Sequence, residues 1–380
     1  TNANQERELA AALETHHRLY NACLDQRKTA YDTEKRSIKY TEQSGWFKEQ
    51  RTSNPYFANL NFSSAQATMR RLDKSFANFF RRVKEGAEEP GYPRFKGRDF
   101  FKSIEYPSYR DGIRLTGNHL YVQNVGTIKV KLHRPVEGTI KTVSLKCEAG
   151  KWYAVFSCDM GDPPVAPSTL PPVGIDVGLT HFLTTSNGSR EANPRYLKEA
   201  LPKLRCASRT VSRKQKGSKN RRKAVKRLQK IHARVKNVRR EHHYQVACRL
   251  VLAYGLIAAE SLNVNGMLKS RRFSRAISDA GWTGFLSILQ HKANKAGVQF
   301  VGVDPKGTTQ ECSQCGQEVR KELWVRSHDC PHCGLSLDRD HNAARNILAR
   351  GLAARTAPPG LNVDLKAKRV PRSRCLKATE

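Results

Sequence analysis

Carboxylates are what this chain has too few of: across 380 residues, 34 Asp and Glu face 68 Lys and Arg, a formal net charge of +34. A deficit of that size excludes an acidic or balanced protein and demands a polyanionic partner. At a pI near 10.1, nucleic acid fits that description better than a membrane surface. Long apolar runs are missing as well. No stretch approaches the ~18 residues of a transmembrane helix, so neither a membrane span nor a membrane partner is expected. The opening TNANQERELAAAL lacks the apolar core of a signal peptide, and it starts at Thr1 without a Met, so a trimmed N-terminus is expected. There is no internal repeat. A hydrophobic content of 38% is low for a globular chain yet too high for a disordered one, and the length suits two or three domains. Ten cysteines do not read as a secreted disulfide framework. Four are packed into 22 residues, while Cys23, Cys147, Cys158, Cys206, Cys248 and Cys375 are scattered, which fits a reducing cytoplasm.

What is present falls into zones. The first hundred residues read as helical, with Leu9, Leu13, His16, Tyr20 and Leu24 at three-to-four-residue spacing. A second helix carries a capping-box pattern at Ser63 and Gln66 and an apolar stripe of Met69, Leu72, Phe76, Phe79 and Val83. Its other face holds Arg70, Arg71, Lys74, Arg81, Arg82 and Lys84. Such a face is often only a solvated one, but on a chain of +34 it reads as phosphate-facing. GYPRFKGRDF interleaves Tyr92, Phe95 and Phe100 with Arg94, Lys96 and Arg98, a mixture suited to stacking on bases beside phosphates. Short alternating runs near 120–122, 127–132, 139–147 and 152–158, punctuated by glycines, read as an antiparallel, barrel-like β module. Pro163, Pro164, Pro167, Pro171 and Pro172 then mark a linker.

Beyond the linker, 173–176, 182–186, 255–261 and 298–303 read as strands and 273–296 as a helix. Residues 201–240 hold 17 Lys and Arg and no acid, with a thin stripe of Leu228, Ile231, Val235 and Val238, so a long helix or hairpin is expected. Like charges at that density destabilise a free helix, which favours a bound polyanion against Arg221, Arg222, Lys223 and Arg227. Residues 351–380 form a basic, proline-containing tail.

Two groups carry chemistry. Cys312-x2-Cys315, then 14 residues, then Cys330-x2-Cys333 presents two thiolate pairs able to close a tetrahedral site around one Zn2+. Four cysteines fill that site, so the ion would be structural, and His328 and His332 are not needed as ligands. The second group comes from the scarcity of acids. Asp176 ends VGID, Glu260 ends GLIAAE, and Asp340 opens a helix in LDRDHNAARNIL. A lone carboxylate at a strand end commonly caps a turn. Three of them converging would suit phosphodiester hydrolysis, which needs several carboxylates around two Mg2+ ions.

GIDVGLTHFLTTSNG, the strand ending in Glu260 and LDRDHNAARNIL resemble the three split motifs of a RuvC-type nuclease of RNase H-like fold. The block VDPKGTTQECSQCG … HDCPHCGLSLDRDHNAARNIL places a zinc ribbon between the second and third motifs, which is similar to the TnpB proteins of insertion sequences and to type V CRISPR effectors. RRLDKSFANFFRRVKEG, GYPRFKGRDFFKSIEY and DAGWTGFLSILQHKANKAG extend the resemblance to TnpB over about residues 5–350.

That resemblance implies a multidomain α+β and α/β chain. A helical recognition region would span 1–96 and a β-barrel-like wedge module 97–170. The RuvC-like nuclease would occupy 171–309 and 335–350, with a zinc ribbon at 310–334 and a basic tail at 351–380. The family's opening strand would lie before Thr1. Asp176, Glu260 and Asp340 fall on the family's catalytic acids, with Asp338 ranked behind Asp340. The implied activity is a Mg2+-dependent, RNA-guided endodeoxyribonuclease. It would be a single protein copy carrying a guide RNA from the transposon end, cutting double-stranded DNA beside a short flanking motif in the prokaryotic cytoplasm, at the nucleoid when on target. This division of labour suits the composition, since base pairing reads sequence and the protein supplies positive grooves. A guide-free transposase- or resolvase-like nuclease and a non-catalytic nucleic-acid binder are the competing readings. The long basic run weighs against the first and the three intact acids against the second.

Overall fold

The computed structural model describes residues 1–161, 169–269, 272–322 and 324–356. The linker prolines Pro163, Pro164 and Pro167, tail residues 357–380 and Cys375 lie outside them. The chain divides into two compact units, 1–161 and 162 onward.

The first unit opens with helices α1 (Ala3–Glu34), α2 (Tyr40–Ser53), α3 (Pro55–Ala58) and α4 (Phe62–Lys84). Leu19, Tyr20, Cys23, Leu24, Phe47, Met69, Leu72 and Phe76 interlock into one core, so the periodic residues of α1 and α4 face inward as far as Phe76, whereas the stripe's last residue, Val83, is exposed near the helix end. The cap of α4 is not Ser63: the helix starts two residues earlier, and Asn61 accepts a hydrogen bond from Ser64 N at 2.9 Å. Six strands follow: β1 (Ser103–Tyr106), β2 (Ile113–Thr116), β3 (His119–Val122), β4 (Gly126–Lys129), β5 (Thr139–Glu148) and β6 (Lys151–Asp159). They form two three-stranded antiparallel sheets, β1-β5-β6 and β2-β3-β4. Both feed one apolar cluster that includes Ile104, Ile113, Leu120, Val143 and Leu145.

The second unit is built on a five-stranded sheet of order β11-β10-β7-β8-β9. Its elements are β7 (Pro172–Asp176), β8 (His181–Thr185), β9 (Arg190–Ala192), α5 (Tyr196–Ser212), α6 (Lys219–Ala253), β10 (Leu256–Glu260), α7 (Val264–Met267), α8 (Ser274–Ala280), α9 (Trp282–Lys295) and β11 (Gln299–Val303). A small hairpin, β12 (Ser327–Asp329) with β13 (Ser336–Asp338), leads into α10 (Arg339–Thr356). β7, β8 and β9 run antiparallel in sequence, whereas β10 lies parallel to both β7 and β11. The basic stretch is a hairpin of α5 and α6. The single helix expected at 273–296 is two, broken at Gly281 (φ 67°), where His243 Nε2 hydrogen-bonds to the Ala280 carbonyl at 3.0 Å.

Alternation along the central strands sorts their side chains between two layers. Val173, Ile175, Ile257 and Ala259 pack on α6 and α9, while Leu256, Ala258 and Val303 meet Ile347 of α10. α10 lies so close to the sheet that a Cβ on Gly174 would sit 2.1 Å from the Ala344 carbonyl oxygen, and one on Gly351 2.4 Å from the Ala258 Cβ. Ala343 and Ala344, fully buried, are small for the same reason. No helix among the described residues is long and apolar enough to cross a membrane.

Candidate active site and metal centre

Because β7 and β10 are parallel neighbours, their C-terminal residues Asp176 and Glu260 end at the same edge of the sheet, and the close seat of α10 brings Asp340, in its first turn, to that edge. Burial pushes the Asp176 carboxyl well above the usual carboxylate range. The charges of Glu260, Asp340 and Asp338 push it further, against the pull of Arg339. Burial likewise raises Glu260, partly offset by a hydrogen bond from Thr308 Oγ1 at 2.5 Å and by Arg350. Asp340 Oδ1 is held by Arg339 at 3.4 Å and by Arg326 at 3.7 Å. The three carboxylates do not all lie within 4.8 Å of one another; among the described residues, the four cysteine sulfurs are the one group of three or more such ligands that gathers that closely. A buried carboxyl raised by its acidic neighbours is one whose repulsion a hard divalent cation would relieve, and Mg2+ fits this all-oxygen donor set.

Asp338 has a structural task. Its Oδ1 accepts hydrogen bonds from the backbone N–H groups of Asp340 and His341 at 3.0 and 3.2 Å, capping α10, and its other oxygen meets Arg190 at 3.1 Å.

The four predicted zinc ligands do come together. Cys312 Sγ lies 3.6 Å from Cys333 Sγ, and Cys315 Sγ the same distance from Cys330 Sγ. Those separations exceed a disulfide bond and approach the edge, about 3.8 Å, of a tetrahedron with Zn–S arms of about 2.3 Å. Burial opposes ionisation of Cys312, but the backbone N–H groups of Cys315 and Gln314, with His328 and Cys333, lower it to about 5. The Leu335 N–H favours the Cys333 thiolate too, yet burial and three neighbouring thiols push it up to about 12. A Zn2+ ion held by Cys312, Cys315, Cys330 and Cys333 would remove that conflict, since it binds cysteines as thiolates. Lys321 donates to Nδ1 of the fully buried His328, whose side chain is among the groups that favour the Cys312 thiolate.

Asn342, Asn346 and Arg350 recur every four residues and so share one face of α10. Asn342 accepts from Ser313 N (2.9 Å) and donates to Glu311 O (2.8 Å). Asn346 donates to Thr308 O (2.9 Å), and Arg350 to Asp304 O (2.8 Å). These bonds lash the first cysteine knuckle and the Thr308 turn to the helix that bears Asp340. Sequence reasoning passed over Thr308, Arg326, Arg339 and these asparagines, although GTTQE directly before the first CxxC and the four-residue spacing in NAARNILAR were available signals.

The predicted nucleic-acid residues are divided. Arg222, Lys223 and Arg227 lie exposed on α6, and Arg94 is exposed. Arg221 is half-buried. Arg70 sits over the Tyr40 ring and Arg81 pairs with Glu85 at 2.7 Å. Others are occupied by the protein. Arg71 stacks on Phe101 and donates to Ser103 O at 3.1 Å, and Arg82 donates to Pro90 O at 2.5 Å. Tyr92 packs edge-on against Phe76 and Phe79, Lys28 lies over Phe95, and Lys96 over Tyr20.

Fold and site together define a multidomain α+β protein that mounts a carboxylate cluster and a four-thiol cluster on one unit. Residues 155–271 match the family OrfB_IS605, described as "Probable transposase", and residues 282–347 the "Cas12f1-like, TNB domain". A Streptomyces pristinaespiralis protein named as an RNA-guided DNA endonuclease is 34% identical over 93% of this chain and 88% of its own; InsQ of Escherichia coli K12, similarly named, is 27% identical over 88% and 86%. A TnpB-like protein of Acanthamoeba polyphaga mimivirus is 30% identical over 70% of this chain and 49% of its own. The chain belongs to the TnpB family. In fold it is similar to the protein in a cryo-EM structure of a Cas12f1–sgRNA–target DNA complex, with a TM-score of 0.55 at 16% identity over 89% of this chain and 81% of that one.

Proposed function

We propose that this chain is an RNA-guided DNA endonuclease of a transposable element, acting through an RNase H-like, RuvC-type domain at 171–309 and 335–350 with a zinc ribbon at 310–334. The observation that carries the reading is the gathering of Asp176, Glu260 and Asp340 at one sheet edge, where burial and then the charges of the other two drive the Asp176 carboxyl up. Strand order β11-β10-β7-β8-β9 supports the RNase H-like part. Family membership and the names of the relatives support the guided-nuclease part.

In this reading Asp176, Glu260 and Asp340 hold two Mg2+ ions. Bound there, the ions supply an activated water for attack on the phosphodiester and charge stabilisation for the departing oxygen. Thr308 fixes the rotamer of Glu260 through its hydroxyl, and Arg339 keeps Asp340 from swinging away. Residues 1–96 and 97–170 act as the recognition region and wedge module. The exposed cations of α6, among them Arg222, Lys223 and Arg227, track phosphates, and one protein copy works with one guide RNA on double-stranded target DNA at the nucleoid.

The test is to purify the protein with its RNA, sequence that RNA, and offer a plasmid carrying the matching target. Mg2+-dependent cleavage by the parent, none by Asp176→Asn, and equal RNA retention by both are expected. Cleavage that survives Asp176→Asn, or a parent that never cuts a matched target, refutes the reading.

A further inference from the structure

The outward face of the β2-β3-β4 sheet carries Arg114, Thr116, His119, Tyr121, Thr127 and Lys129, without an acid among them. Register sets Arg114 opposite Tyr121, and the guanidinium carbon lies 5.8 Å from the ring centroid. Tyr121 stays 40% exposed. Beside this pair is an open cavity of about 640 Å3 lined by Tyr109, Arg110, Arg114, Leu115, Thr116 and Tyr121. Arg110 holds a left-handed backbone (φ 75°), unusual for a residue with a side chain, fixed by its N–H bonding to Ile113 O at 3.0 Å. Among the described residues no ion pair neutralises Arg110, Arg114 or Lys129.

The β2 edge of this sheet, beside the cavity, is closed to a protein strand. β2 is an outer strand, and the Tyr109 hydroxyl occupies both Leu115 N (3.1 Å) and Leu115 O (3.2 Å), the groups an added strand would pair with. What remains open is a cationic face with an accessible ring, and its charge and shape complement a single nucleotide.

We propose that this face binds an unpaired nucleotide of an RNA strand, its base stacked on Tyr121 beside Arg114 and its phosphate between Arg110 and Arg114. The hydroxyl of Thr116, on the cavity wall, gives a ribose 2′-hydroxyl a partner that DNA lacks. The proposal rests on the reading of the chain as an RNA-binding enzyme and adds a place and a chemistry to it.

Photo-crosslinking of the full chain with its co-purified RNA is expected to leave a nucleotide on the Tyr121 peptide. In competition with a fluorescent, unstructured RNA oligonucleotide at raised salt, Tyr121→Ala is expected to weaken binding by roughly 5–100-fold, since one stacked base carries most of the site. Tyr121→Phe keeps the ring and should bind like the parent; Arg114→Gln should flatten the salt dependence. Tyr121→Ala binding as tightly as the parent, with crosslinks only elsewhere, overturns the site. A DNA oligonucleotide of the same sequence that binds equally and is equally sensitive to Tyr121→Ala overturns its assignment to RNA. A parent protein that binds no RNA at all overturns this proposal together with the guided-nuclease reading, whereas loss of the Tyr121 effect alone leaves that reading standing.

Discussion

The second unit holds two clusters of groups that cannot all ionise together, and it solves the problem twice. At the sheet edge, the backbone does the work: β7, β10 and α10 are pinned by a shared core, so Asp176, Glu260 and Asp340 stay together although they repel. In the ribbon almost no core exists. Cys312, Cys330 and His328 are buried there, and β12 and β13 have three residues each. A scaffold that folds first can store unfavourable charge for later use, whereas a segment too small to fold alone needs an ion to hold it. Chemistry belongs at the first kind of site and architecture at the second.

The largest effect should come from breaking the ion-held half. Cys312→Ser is expected to lower zinc content from one per chain towards zero and remove about 10 kcal/mol of binding-coupled folding, read by elemental analysis and proteolysis confined to the ribbon. Next is the scaffold-held half. Asp176→Asn should reduce cleavage by roughly a thousandfold or more, yet raise the metal-free melting temperature because a repelled, buried carboxylate is gone. A melting temperature that falls would contradict the contrast drawn above.

Gly174→Ala attacks the scaffold itself, since the new Cβ would collide with the Ala344 carbonyl. A destabilisation of about 3 kcal/mol is expected by denaturant titration, with the ribbon still binding zinc. Thr308→Val leaves both folds intact but frees Glu260. A ~10–100-fold loss of cleavage, met by a higher Mg2+ requirement and restored by Thr308→Ser, would mark it as a positioning residue.

The smallest effect near neutrality is one of pH. Burial lowers His16 to about 3 and His243 to about 4. Both are therefore neutral in the fold. The stability they contribute is full above the unfolded value of 6.5 and is lost as pH falls from there towards those values. Each unit should soften in that window, and His16→Gln should remove the first unit's share of the slope.

How much of this was legible in the sequence depends on how local the cause is. The cysteine ligands were readable because two knuckles write their spacing into 22 residues. Asp176 and Glu260 were readable because acids are rare here and each ends an apolar strand. Thr308 was not, since its role lies in a contact with a residue 48 positions away. Arg71 looked like part of a phosphate-facing row, but Phe101 and Ser103 claim it from a later segment. The break at Gly281 was hidden for the same reason: an apolar pattern runs through it, and only the partnership with His243 shows where the chain turns.

The late place of α10 sets a clock on synthesis. Asp340 follows Asp176 by 164 residues (340 − 176). A ribosome adding ~5–20 residues per second therefore makes the first acid roughly 8–30 s before the last. From the completion of α6 at Ala253, 87 residues (340 − 253) before Asp340, the nascent chain can display its basic helices to RNA while lacking the helix that completes the acid cluster. Cutting power would arrive only after the guide has had time to dock.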